Sequence, residues 1–137
     1  MKQNQKGFTL IELLVVIVIL GILASIAVMK FRGSDEGAVI ASMQSDARNA
    51  ITAEQLYYSI YRRYAQVSVN ALNSSTGQTA TLSGSNIQVT ASPYNMLYVY
   101  LQACQDGSRG FFVRVISSKT NRRVEYNSCT DATLYIK

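Results

Sequence analysis

The chain has 137 residues, 48% of them apolar, with 13 Lys plus Arg against 8 Asp plus Glu and a formal net charge of +5. It has no His, which excludes imidazole bases, Ser-His-Asp and Cys-His nucleophiles and His-ligated metals, and its 2 Cys cannot build a four-thiolate zinc site. Setting aside Lys2 and Lys6, which precede an apolar block, leaves +3, too little to argue nucleic-acid binding from charge alone.

Residues Met1 to Lys6 are polar, Gly7 follows, and Phe8 to Met29 then forms an apolar run with a single charge, Glu12. At about 1.5 Å per helical residue the run can span a hydrocarbon core of about 30 Å. Lysines before it and none within it favour a cytoplasmic amino end. A secretory signal would place a small-residue cleavage site after the apolar region, and Ala24-Ser25-Ile26-Ala27 approximates one only weakly. A plain membrane anchor does not account for Glu12, because a carboxylate in that setting is costly without a designated partner. A cut between Gly7 and Phe8 would create an α-amino group one helical turn before Glu12, a counter-ion in the same chain or in an adjacent copy. Without the cut, Lys6 is the one obvious mate.

The run Lys6-Gly7-Phe8-Thr9-Leu10-Ile11-Glu12-Leu13-Leu14, continued by Gly21-Ile22-Leu23-Ala24-Ser25-Ile26-Ala27, strongly resembles the processing and assembly motif of type IV pilins and pseudopilins. The resemblance covers roughly the first thirty residues. It implies that a prepilin peptidase cuts after Gly7 and N-methylates Phe8, leaving 1–7 as a leader, and that Glu12 pairs with the amino terminus of a neighbouring subunit. Gly7 suits a narrow protease cleft because it has no side chain. One position departs from the pattern: many pilins carry Pro two residues after the position matching Ala27, where this chain has Met29. The usual reason for a local helix break is therefore missing there, and Gly21 is the softer point.

Beyond the assembly helix of 8–29, the amphipathic half of the same helix is expected over 30–64. Ile40, Met43, Ala47, Ala50, Ile51, Tyr57, Tyr58, Tyr61 and Tyr64 fall on one face, with Asp46, Arg48, Asn49, Gln55 and Arg62 mostly away from it. Gly33 and Gly37 flank Ser34-Asp35-Glu36 and mark the expected bend or weakening between the halves. The tyrosine spacing favours packing against a sheet over a stacked path for electrons. Glu54, on the same stripe, is expected to neutralise an arginine.

Residues 65–92 are rich in Ser, Thr, Asn, Gln and Gly and read as a long surface loop with one short strand around Ile87-Gln88-Val89-Thr90. Asn73-Ser74-Ser75 matches a glycosylation sequon, a pattern common by chance. After Pro93, strands are expected at Tyr94 to Leu101, Phe111 to Ile116, Arg123 to Tyr126 and Thr133 to Ile136, an antiparallel sheet over 93–137. Cys104 and Cys129 follow the first and third of these strands. A disulfide is expected if the apolar block places them on the oxidising side of a membrane; two reduced core cysteines are the alternative. The family resemblance points to the disulfide, since many type IV pilins carry such a bounded loop near the carboxyl terminus.

The fold class is thus α+β, a long amino-terminal helix packed on a small antiparallel sheet. The expected function is a structural filament subunit, not an enzyme, with no cofactor or metal; Asp106 and Asp131 are too isolated for a calcium site. Partners implied by the resemblance are other copies of the chain, prepilin peptidase, an inner-membrane assembly platform and membrane lipid before assembly. The precursor would sit in the inner membrane and the filament outside the cell, serving adhesion, motility or DNA uptake. Two alternatives remain: a pseudopilin of a type II secretion apparatus, and a minor pilin binding DNA or a surface. The last would use a basic patch of Arg62, Arg63, Arg122 and Arg123, extended by Arg109 and Arg114.

Overall fold

A computed structural model of the chain describes residues 7–130 and 133–137. One helix, α1, runs Leu10–Tyr61 and contributes to two units, Met1–Asp35 and Glu36–Lys137. No proline interrupts it, and the position of Met29 is helical. Its start is set by Thr9 and its end by Arg62, which takes φ +55° while its N–H donates to the Tyr58 carbonyl at 2.9 Å.

In the first unit the segment Leu10–Ala27 is apolar enough to cross a membrane and none of it is buried. Its one internal hydroxyl, Ser25, donates to the Ile22 carbonyl at 2.7 Å, so it leaves no donor unsatisfied in an apolar surround.

In the second unit α1 buries Met43, Ala47, Ala50, Ala53 and Tyr57. The alanines let the helix axis approach the sheet closely. The sheet has five antiparallel strands in the order β1-β4-β5-β6-β7, formed by Val67–Asn70, Asn95–Ala103, Arg109–Ser117, Thr120–Asn127 and Leu134–Ile136. β4 to β7 are the expected meander. Their alternation points Leu97, Val99, Val113, Val115 and Val124 into the core.

The stretch 65–92 is more ordered than a loop with one strand. β1 adds to the sheet edge beside β4, and β2 (Gln78–Thr81) pairs with β3 (Gln88–Ala91) as a separate ribbon. The ribbon is anchored by few apolar groups, Leu82, Val89 and Ala91; β3 is the short strand expected around Val89, whereas β2 buries no side chain fully and composition concealed it. The Tyr57 hydroxyl donates to the Ser83 carbonyl at 2.9 Å and that of Tyr61 to Gly84 at 3.0 Å, tying the ribbon turn to the helix. Tyr57 is accordingly core, whereas Tyr58 and Tyr61 are exposed and Tyr64 is half-buried.

Candidate functional site

Thr9 and Glu12 form a reciprocal cap at the start of α1. The Glu12 carboxylate accepts the Thr9 backbone N–H at 2.8 Å and its hydroxyl at 2.7 Å, and the Glu12 N–H points back to the Thr9 oxygen at 3.3 Å. This is the Thr-x-x-Glu capping box, which satisfies donors that every helix start leaves open. Glu12 therefore has a partner within its own chain, three residues away, as well as any counter-ion. Lys6, the proposed mate in an uncut chain, lies outside the described residues, as does the rest of 1–6.

Gly7 has open space where a side chain would stand, and Phe8 is 92% exposed. From Leu10 to Ile26 the large apolar side chains are all exposed. An apolar surface that is continuous around a helix belongs in lipid or against other apolar helices, not in water. The arrangement thus offers an accessible Gly7–Phe8 peptide bond, one held carboxylate, and a long adhesive surface behind them.

The arginines of the expected patch differ in their partners. Arg122 approaches Glu36 at 3.9 Å, beside the bond from Thr120 to that carboxylate. Arg123 and Arg114 both reach Glu125, at 3.2 and 3.0 Å, and Lys137 completes the ring at 2.8 Å. Burial alone would raise the Glu125 pKa; the Lys137 hydrogen bond and the three positive charges outweigh it and hold the carboxyl below its ordinary value. Arg62 and Arg63 stand instead just after the end of α1.

Cys104 and Cys129 are joined by a disulfide, with Cα atoms 5.3 Å apart. The intervening strand β5 is crossed at Gly110, where an added Cβ would lie 2.5 Å from the Cys129 sulfur and 2.8 Å from that of Cys104. A glycine is needed there because the bridge occupies its side-chain space.

Two buried acids depart from the sequence reading. Asp46 is 3% exposed and accepts the Ser92 N–H at 2.9 Å, the Ser92 hydroxyl at 2.7 Å and the Asn95 amide at 2.8 Å. It docks the helix to the start of β4 instead of facing solvent. Among the described residues Glu54 meets no arginine; fully buried, it accepts the Ala65 N–H at 2.9 Å, and there its Oε1 has no partner. Desolvation raises its pKa to about 7 despite the Ala65 bond. Periodicity registers a polar residue as surface and cannot reveal such loop-capping roles. Among the described residues no group of acids or cysteines could hold a metal; Asp131 lies outside them.

Residues 2–28 match the family model described as the prokaryotic N-terminal methylation motif. Among curated relatives, the type II secretion system core protein G of Klebsiella michiganensis is 41% identical over 63 residues, 46% of this chain and 44% of its own length. The fimbrial protein EcpC of Eikenella corrodens is 41% identical over 85 residues, 61% of this chain and 52% of its own. The type IV major fimbrial protein FimA of Dichelobacter nodosus is 42% identical over 53 residues, 39% of this chain and 34% of its own. The chain thus spans about half or less of these relatives. No solved structure matches it significantly.

Proposed function

We propose that this chain, whose amino-terminal segment carries the methylation motif and whose fold is pilin-like, is a filament subunit of the type IV pilus kind. It is a structural protein and not an enzyme. The precursor waits in the inner membrane by its apolar helix, is cut after Gly7 and methylated on Phe8, and is then passed by an assembly platform into a helical polymer outside the cell. The observation that carries this reading is the juxtaposition of Glu12, Phe8 and a wholly exposed apolar helix. In the membrane the Thr9 cap keeps the carboxylate hydrogen-bonded. In the polymer the Phe8 amine of a neighbour supplies the opposite charge, and burying that pair among apolar side chains penalises any register that leaves it unmade. Apolar burial at about 25 cal/mol per Å2 supplies the driving force between copies.

A pseudopilin of a secretion apparatus is the second reading, supported by the protein G relatives. The pilus reading is supported by the fimbrial EcpC match, which covers 61% of this chain, and by the FimA match. Adhesion, motility and DNA uptake are all open to such a filament. The test is intact mass analysis of the main band of sheared surface filaments, with electron microscopy of the same fraction. A chain beginning at methylated Phe8 is expected. A band that retains Met1 to Gly7, or filaments lacking this chain, would overturn the proposal.

A further inference from the structure

By alternation along β4, Leu97, Val99, Leu101 and Ala103 share the face turned toward the core. Leu97 and Val99 are fully buried, whereas Leu101 is 50% exposed. Leu101 and Ala103 instead line a cleft of about 540 Å3, bounded by the close of α1, the ribbon turn at Ser83 and the start of β5. That volume is within the range of about 300–1,000 Å3 usual for small-ligand sites. Arg63 and Arg109 line the cleft and no carboxylate does. Among the described residues neither guanidinium has an ion pair or a hydrogen bond, unlike those of Arg114, Arg122 and Arg123. The amide of Gln66 and the hydroxyl of Ser83, also in the lining, are unpaired there as well. The tyrosines at the back offer no free ring face: Tyr57 packs on Tyr61 with centroids 4.5 Å apart, and Tyr64 lies against Tyr58 and Phe111 at 4.7 and 4.8 Å. A flat aromatic ligand would find nothing to stack on.

We propose that this cleft binds a carboxylated saccharide, a short run of linked uronic acids. Such a chain carries one carboxylate per ring, and a guanidinium fork takes a carboxylate in paired, charge-assisted hydrogen bonds. Its hydroxyls both donate and accept, which suits the Gln66 amide and the Ser83 hydroxyl. Its C–H face is apolar and covers Leu101 and Ala103, removing from water a surface that the core leaves bare. An acidic peptide would answer the guanidiniums but brings no row of hydroxyls to the neutral groups between them. The proposal does not rest on filament assembly, since every residue it uses lies within Glu36–Lys137.

The test is fluorescence anisotropy of end-labelled trigalacturonate, titrated with the full chain in a polyoxyethylene detergent, which carries no sugar. Saturable binding is expected, weakened about tenfold by Arg63→Ala and by Arg109→Ala. Both side chains are exposed, so neither change threatens the fold. Arg122→Ala removes the same charge elsewhere and should leave affinity unchanged. Unlabelled trigalacturonate should compete about tenfold better than its methyl ester, which keeps the rings and loses the charge. It should likewise outcompete triglutamate, which keeps the charge and loses the rings. The proposal is overturned by no saturable binding, by equal loss in Arg122→Ala, or by the ester, triglutamate or an oligothymidylate competing as well as trigalacturonate.

Discussion

Glu54 shows how one buried side chain makes stability depend on pH. Its folded pKa of about 7 lies above the ordinary 4.5, so the folded state binds the proton more tightly than the unfolded chain. That contribution is complete below about pH 4.5 and is lost as pH rises through about 7. Glu125 works in the opposite sense: its lowered pKa gives stability that is present at neutral pH and lost only as the solution becomes acidic. Glu54→Gln keeps an acceptor for the Ala65 N–H and removes the titration. We expect the wild-type urea midpoint, followed by tyrosine fluorescence, to fall between about pH 5 and about pH 8 and that of Glu54→Gln to stay level. A wild-type midpoint that does not move would show that Glu54 is charged and solvated throughout. None of this was legible beforehand, because a Glu at a stripe position looks the same whether it meets an arginine or a backbone N–H.

Between elements, the second unit depends on a few polar ties laid over an apolar contact. The contact itself was legible: alternation along β4 to β6 and the Met43, Ala47, Ala50 and Tyr57 stripe are signals that burial writes directly into residue order. The ties were not. Asp46 looked like a surface position, yet Asp46→Ala would strand the Asn95 amide and the Ser92 donors in the interface. A loss of about 2–4 kcal/mol is expected, read as a lower urea midpoint. A change smaller than about 0.5 kcal/mol would mean the site is wet and the tie unimportant. Of the ribbon, β3 lies where a short strand was expected, and β2 escaped notice because Gln and Thr fill it and leave little alternation. The disulfide was an expectation of the sequence, but the close approach of its sulfurs to Gly110 of β5 was not legible. Its 25-residue separation is worth about 3–4 kcal/mol in the chain-entropy model. Gly110→Val places a branched side chain against both sulfurs, and we expect thiol labelling of the purified variant to reveal reduced Cys104 and Cys129. Full oxidation with an unchanged midpoint would contradict the close approach at Gly110.

For the whole molecule, a unit with its own core is joined in sequence to a helical segment, Leu10–Ala27, of which nothing is buried. That contrast was plain in the sequence, because a block with one charge cannot be mistaken for an amphipathic helix. The Thr9 cap on Glu12 emerged only from the geometry. The cap sharpens the test of assembly, since hydrogen bonding and charge at Glu12 can now be separated. Glu12→Gln preserves a capping-box residue and abolishes the charge, whereas Glu12→Val removes both. The decisive measurement is the yield of sheared filaments from cells expressing Glu12→Gln, with cleavage after Gly7 checked on the same samples by mass. Normal cleavage with filament yield lowered about tenfold or more is predicted, the scale of one lost charge pair. Filaments at the wild-type yield would contradict the claim that the Phe8 amine of one copy neutralises Glu12 of the next.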